Sequence, residues 1–264
     1  MPETQTPPLE PLAPTPEFLA MAAELGIEFE PGDLERLGLF LALLLRANEL
    51  TNLTAITDPA QAWVKHIFDA LTLVPVLASI EPAEGRGGAT HLRIIDVGSG
   101  GGVPALPLAI VMPEAKFTLL EATGKKCEFL RSAAAALSLK NVEVIQGRAE
   151  TVAHHRGSKN DGRINSRREV YDAAIARALG HLAVLVELLG AFARPGGFVL
   201  AVKGAKAEQE LTESAKAMGV MGLRHAETVQ TPTGRIVVLE KASRTPRDYP
   251  RKDGEPSRKP IGIG

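Results

Sequence analysis

The stretch Ile94–Val111, IIDVGSGGGVPALPLAIV, decides how this chain is read. It opens with Ile94, Ile95 and Val97 around Asp96, passes through glycines at 98, 100, 101 and 102, and continues as an apolar run carrying Pro104 and Pro107. A short branched apolar run bounded by glycine has the composition of a buried strand. The first turn of a helix tolerates proline, because backbone N–H groups there have no intrahelical partner. Pro104 and Pro107 as first and fourth residues therefore predict a helix over 104–112. The glycines between supply positive φ and bare backbone. A flat or bulky ligand is expected to lie on this loop.

Outward from the loop, short apolar runs alternate with helical stretches. HLRIIDV, KFTLLE, NVEVIQ, YDAAIA and GGFVLAVKG read as strands, with helices over 104–112, 124–138, 181–193 and 206–217 between them. A closing pair is expected near 223–230 and 235–241. Strands alternating with helices imply right-handed parallel βαβ units, so an α/β doubly wound sheet is predicted for residues 81–243. Upstream, Leu34, Leu37, Leu41, Leu44 and Leu45 form an amphipathic stripe that Asp33 is placed to cap. Asp58 and Pro59 start a second helix, to about Leu73. Residues 17–80 are thus expected to be a helical lid. The first sixteen residues contain six prolines and are expected to be disordered, and 154–169 is a polar insertion.

Composition narrows the function. With 264 residues, 45% hydrophobic and 23% charged, the chain can bury one substantial core. No apolar run reaches the roughly 20 residues a membrane helix needs, and the acidic, proline-rich start does not read as a signal peptide. A cytoplasmic protein with no membrane partner, acting as a monomer, is expected. The single cysteine, Cys127, excludes a disulfide framework and a thiolate metal cluster, so no metal is expected. A net charge of -1 does not mark a nucleic-acid binder, so any RNA must meet a local basic patch.

Two ligand classes compete for the glycine loop. A dinucleotide fingerprint needs glycine where this chain has Val103. Asp96, Gly98, Gly100 and Gly102 instead spell D-x-G-x-G-x-G, which resembles the first motif of class I S-adenosylmethionine-dependent methyltransferases. Glu121 ends the next strand, where a carboxylate can accept two ribose hydroxyls. The same acid would serve NAD, and a purely structural loop or another nucleotide also stays open.

The longer pattern is more specific. NLTAITDP, VKHIFDALTL, the stretch from Ile94 to Arg131, VIQGRAE, IARAL, AVKG and YPRKDGEPSRKPIG occur in the order found in the bacterial glucose-inhibited division protein B family, which the chain closely resembles over about 35–262. Ala105 departs from a common glycine there. The resemblance implies a seven-stranded Rossmann-like fold that methylates N7 of a guanine in the 530 loop of 16S rRNA, in the small ribosomal subunit. S-adenosyl-L-methionine would be the donor and S-adenosyl-L-homocysteine the product. Carried over by position, Gly98 and Val103 would contact the cofactor, Ala149 and Glu150 would line its adenine side, and Arg177 would lie beside the reaction centre. A planar guanidinium there is expected to clamp the cofactor carboxylate, a phosphate or guanine O6. Asn52 and His66 match positions in the lid that would meet the target.

The chemistry agrees with what is missing. C5 methylation of a pyrimidine needs a cysteine at the active edge, and amine methylation usually uses a [DNS]-P-P-[YFW] motif where this chain has Ala176-Arg177-Ala178. Guanine N7 carries an in-plane lone pair and no proton, so positioning could supply most of the catalysis. For RNA, the segment from Arg244 holds six basic residues against three acids. Tyr249, Arg251, Lys252, Arg258 and Lys259, with Lys203 at the end of a strand, are expected to hold phosphates and an unpaired base. A methyltransferase with a small-molecule acceptor and a non-enzymatic RNA-binding protein are the alternatives.

Overall fold

The computed structural model describes residues 9–83, 91–155, 167–177 and 180–263. The start of the proline-rich extension and most of the polar insertion lie outside them. Seven strands form one sheet in the order β3-β2-β1-β4-β5-β7-β6. They are β1 (Arg93–Val97), β2 (Lys116–Glu121), β3 (Val142–Gln146), β4 (Tyr171–Arg177), β5 (Ala193–Lys203), β6 (Leu223–Thr231) and β7 (Gly234–Lys241). The first five run parallel, and β7 is antiparallel to β5 and β6. All expected strands are present.

The central strands are apolar on consecutive residues because both sheet faces are covered. Ile94, Phe117, Leu119, Ala173 and Ile175 belong to one core, with Phe18, Phe40, Leu41, Trp63 and Phe68 from the N-terminal helices. Ile95, Leu120, Ala174 and Ala176 belong to the other, with Leu185, Val186 and Leu189 of the helix Leu182–Gly190. The N-terminal helices therefore share a continuous core with the sheet. Even residues of the proline-rich start take part, since the Leu12 N–H donates to Gly38 O at 3.2 Å. The expected disorder over 1–16 does not hold for residues 9–15. They precede the helix Pro16–Glu24, which Thr15 caps by accepting from the Phe18 N–H.

Several boundaries differ from expectation for local reasons. The helix after the glycine loop is Ala105–Val111, with Pro104 as its cap, so Pro107 is its third residue and still needs no N–H partner. Gly32, at φ 90°, caps the helix Asp33–Asn48. Asp33 is instead its first residue, accepting from the Glu30 N–H at 3.0 Å and pairing with Arg36 at 2.6 Å. Asp58 does cap as expected, accepting from Gln61 N–H, but Trp63–Phe68 within the helical stretch that follows is π-helical. The expected helix at 206–217 is two, Ala207–Glu213 and Ala215–Met221, broken where the Ser214 hydroxyl donates to Glu210 O.

Trp63 anchors the π-helical segment, with its ring 4.6 Å from that of Phe18 and its Nε1–H buried without a partner. Trp63→Ala is expected to cost about 3–5 kcal/mol through the cavity it leaves. Trp63→Phe, which also removes the unpaired donor, is expected to cost less than half as much in denaturant unfolding; equal losses would refute this assignment.

Candidate functional site

The glycine loop sits where sheets of this type bind ligands, outside the carboxyl ends of the strands. Gly98 N–H donates to Leu120 O at 2.7 Å, and Gly102 N–H to Ser99 O at 2.7 Å. Gly98, Gly100 and Gly102 have φ of 75°, 53° and 82°, which side chains rarely adopt. Their surroundings divide the labour. A Cβ on Gly102 would strike Leu106 and Leu130, whereas one on Gly100 would meet nothing nearer than Gly98 O at 3.8 Å. Gly102, expected to contact the ligand, instead permits close packing beneath the loop. Gly100 faces open space.

That space is a cleft of about 470 Å³, lined by Gly98, Gly100 and Val103, by Glu121, by Ala149 and Glu150, and by Arg177. The structure thus brings together most of the expected cofactor residues. Glu121 ends β2 with its carboxylate accepting from Gly100 N–H at 3.0 Å and Thr123 N–H at 2.7 Å, which ties the loop to the strand. Asp96 lies under the loop rather than on the cleft wall, and its Oδ2 is buried without a partner. Burial pushes its carboxyl up to about 7, despite the opposing effects of the Ser99 hydroxyl and the Arg177 guanidinium. Cys127 is buried, its Sγ donating to Glu121 O, and burial also pushes its thiol up, so it is no nucleophile.

Arg177, at the end of β4, has unexpected partners. Its Nη1 donates to Lys65 O at 2.7 Å and to Asp69 at 3.2 Å, and its Nη2 lies 3.3 Å from His66 Nδ1. Asp69 also accepts from the Thr233 hydroxyl at 2.5 Å. Arg177 therefore pins the N-terminal helices to the sheet edge. It lines a second pocket too, of about 390 Å³, with Asp69, Lys203, Gly204 and Thr233. Arg177 is the residue common to both cavities.

Other expected contacts do not assemble. His66 is 3% exposed, with Nε2 2.8 Å from the Thr54 hydroxyl, so it orients the loop and Arg177 instead of meeting a target. Burial first, then Arg177, lowers its pKa from 6.5 to about 4, leaving a neutral ring. Asn52 is exposed and does not line the cleft, although its neighbour Leu53 does. Lys203 is held by Gly180 O and Glu210, both at 2.6 Å. Arg251 grips Glu187, whose side chain is 0% exposed, at 2.6 Å, and Tyr249 packs on the apolar core. Glu150 turns to the C-terminal segment, its Oε1 accepting from Gly254 N–H at 2.8 Å. Lys252, Arg258 and Lys259 are exposed. Sequence reasoning missed Thr123, Val184, Gly254 and Ser257 as lining residues. Only Thr123, beside Glu121, carried a usable signal.

Comparison with known proteins gives this geometry a family. The family model for rRNA small subunit methyltransferase G, also called GidB, matches residues 33–237. The chain belongs to this family. A ribosomal RNA small subunit methyltransferase G of Sorangium cellulosum is 43% identical over 242 residues, covering 91% of this chain and 93% of the relative. Another, of Leuconostoc citreum, is 36% identical, covering 92% and 98%. Among solved structures, one from Klebsiella pneumoniae assigned as an O-methyltransferase superposes with a TM-score of 0.51 at 14% identity, covering 84% of this chain and 96% of that one. The fold is the class I methyltransferase fold. Among the described residues no helix is long and apolar enough to cross a membrane.

The buried His66 yields a pH prediction. Its folded pKa lies below its ordinary 6.5, so the stability gained by keeping it neutral is complete above about pH 6.5 and declines as the pH falls towards 4. NMR titration of the His66 ring is expected to give a midpoint near 4. A midpoint near the ordinary histidine value would show that the ring is solvated and that Arg177 is free of it.

Proposed function

We propose that this protein transfers a methyl group from S-adenosyl-L-methionine to N7 of a guanine in the 530 loop of 16S rRNA, acting on the small ribosomal subunit. The observation that carries the reading is the pair of cavities meeting at Arg177. One is walled by an open glycine loop and a strand-end carboxylate, and the other opens at the ends of β4 and β5. A 470 Å³ cleft suits a nucleoside-sized ligand. The unblocked Gly100 lets a flat group approach the backbone, and Glu121 has acceptor capacity beyond its two N–H donors for ribose hydroxyls. The residues present fit the cofactor. S-adenosyl-L-methionine supplies an electrophilic methyl on a sulfonium, a leaving group that needs no protonation.

The groups at the junction support N7 as the acceptor atom. Of the carboxylates and the imidazole around Arg177, Asp69 is held by two donors, Glu210 is paired with Lys203 and accepts from Leu182 N–H, Asp96 is buried beneath the loop and does not line either cavity, and His66 is neutral and buried. None is poised to take a proton from an incoming amine. N7 needs no such group, because its lone pair attacks directly and the purine leaves with the positive charge. Arg177 retains donors beyond those given to Lys65, Asp69 and His66, enough to orient a guanine O6 or the cofactor carboxylate. Catalysis is then positioning, with the protein holding the base edge in line with the methyl. The exposed Lys252, Arg258 and Lys259 would engage phosphates of an unpaired RNA segment.

The test uses radiolabelled S-adenosyl-L-methionine with small subunits and naked rRNA from cells lacking the modification, followed by chemical cleavage at N7-methylguanine. A single cleavage in the 530 loop is expected. Transfer to another position or atom, or none despite cofactor binding, would overturn the reading. Gly100→Val places a branched side chain over the loop at positive φ. It is expected to lower affinity for S-adenosyl-L-homocysteine by at least about 30-fold, roughly 2 kcal/mol, in calorimetric titration. Unchanged affinity would put the ligand elsewhere.

A further inference from the structure

The C-terminal segment, expected from its charge to be an RNA tail, is fastened to the body by its inward side. Arg168 donates to the carbonyls of Tyr249 at 2.7 Å, Pro246 at 2.8 Å and Thr245 at 3.1 Å. His154 Nε2 meets Pro250 O at 2.6 Å. Arg251 gives Glu187 both its backbone N–H, at 2.7 Å, and its guanidinium, at 2.6–3.2 Å. Glu187 lies on the helix Leu182–Gly190 with its side chain fully buried, so loss of Arg251 would strand a buried carboxylate. Beyond this ion pair the chain turns at Gly254, φ 75°, where its N–H is held by Glu150. Gly254 and Ser257 then line the same cleft as the glycine loop.

Their place in the cleft is specific. Ala149 and Glu150 follow β3 at one edge of the sheet, the side where the adenine is expected, and Glu150 holds Gly254 there, whereas Gly98 and Arg177 lie at the ends of the more central β1 and β4. We infer that residues 249–257 are part of the cofactor site, a strap forming the outer wall of the adenosine half, with Glu187–Arg251 as its fastening and Ser257 as its contact residue. Cofactor affinity depends on the strap, while its exposed Lys252, with Arg258 and Lys259 just beyond it, remains available to RNA. The inference rests on the adenosylmethionine reading of the cleft.

The strap predicts which half of the cofactor suffers when it is altered. In calorimetric titrations with S-adenosyl-L-homocysteine and with 5′-methylthioadenosine, which lacks the amino-acid end, Ser257→Trp is expected to lose at least about 10-fold affinity for both, with an unchanged melting temperature. Arg251→Ala is expected to do the same and to melt lower, so Ser257→Trp decides. Wild-type affinity for either ligand in Ser257→Trp would overturn the strap. Failure of the wild-type protein itself to bind S-adenosyl-L-homocysteine would overturn the donor reading, and the strap with it.

Discussion

The hydrogen bond from Gly100 N–H to the Glu121 carboxylate is the constraint on which the site depends. It joins the loop after β1 to the end of β2. Because Glu121 also accepts from Thr123 N–H, one carboxylate sets the course of both chain segments as they leave the sheet. A charged acceptor shared between backbone donors is stronger than a neutral one, and at 7% exposure little water competes for it. The loop and strand end joined in this way form one wall of the cleft. Beneath it, Gly102 allows Leu106 and Leu130 to close against the loop, so the open side and the packed side are set by adjacent turns of the same backbone.

Arg177 extends this frame to the rest of the molecule. Its bonds to Lys65 O and Asp69 couple β4 to the N-terminal helices, and Asp69 passes the connection to Thr233 at the β6–β7 turn. Separate cavities thereby share one lining residue. The neutral His66 fits this arrangement, since a protonated ring beside the guanidinium would repel it. The C-terminal segment closes the opposite side of the cleft through Arg251 and Glu187.

Legibility in the sequence followed the range of the interactions. The strand, the glycine loop and the helix after it were readable because periodicity, positive-φ glycine and first-turn proline act within a few residues of one another. Glu121 was readable from its place at a strand end. Gly102 was misread because whether an absent Cβ would face ligand or Leu106 depends on the hand of the folded loop. Lys203 and Arg251 looked like free cations until the fold brought Glu210 and Glu187 to them from other elements. Distance hid the Arg177 network in the same way, since Lys65 and Thr233 flank it from far along the chain.

The most direct test of the account is amide chemical-shift mapping as S-adenosyl-L-homocysteine is added to the isotope-labelled protein. The predicted result is a set of shifts confined to the cleft wall, at Gly98–Gly101, Glu121–Thr123, Ala149–Glu150 and Gly254–Ser257. Shifts centred instead on the cavity of about 490 Å³ at the opposite end of the strands, around Arg93, Asp172 and Arg194, would contradict it.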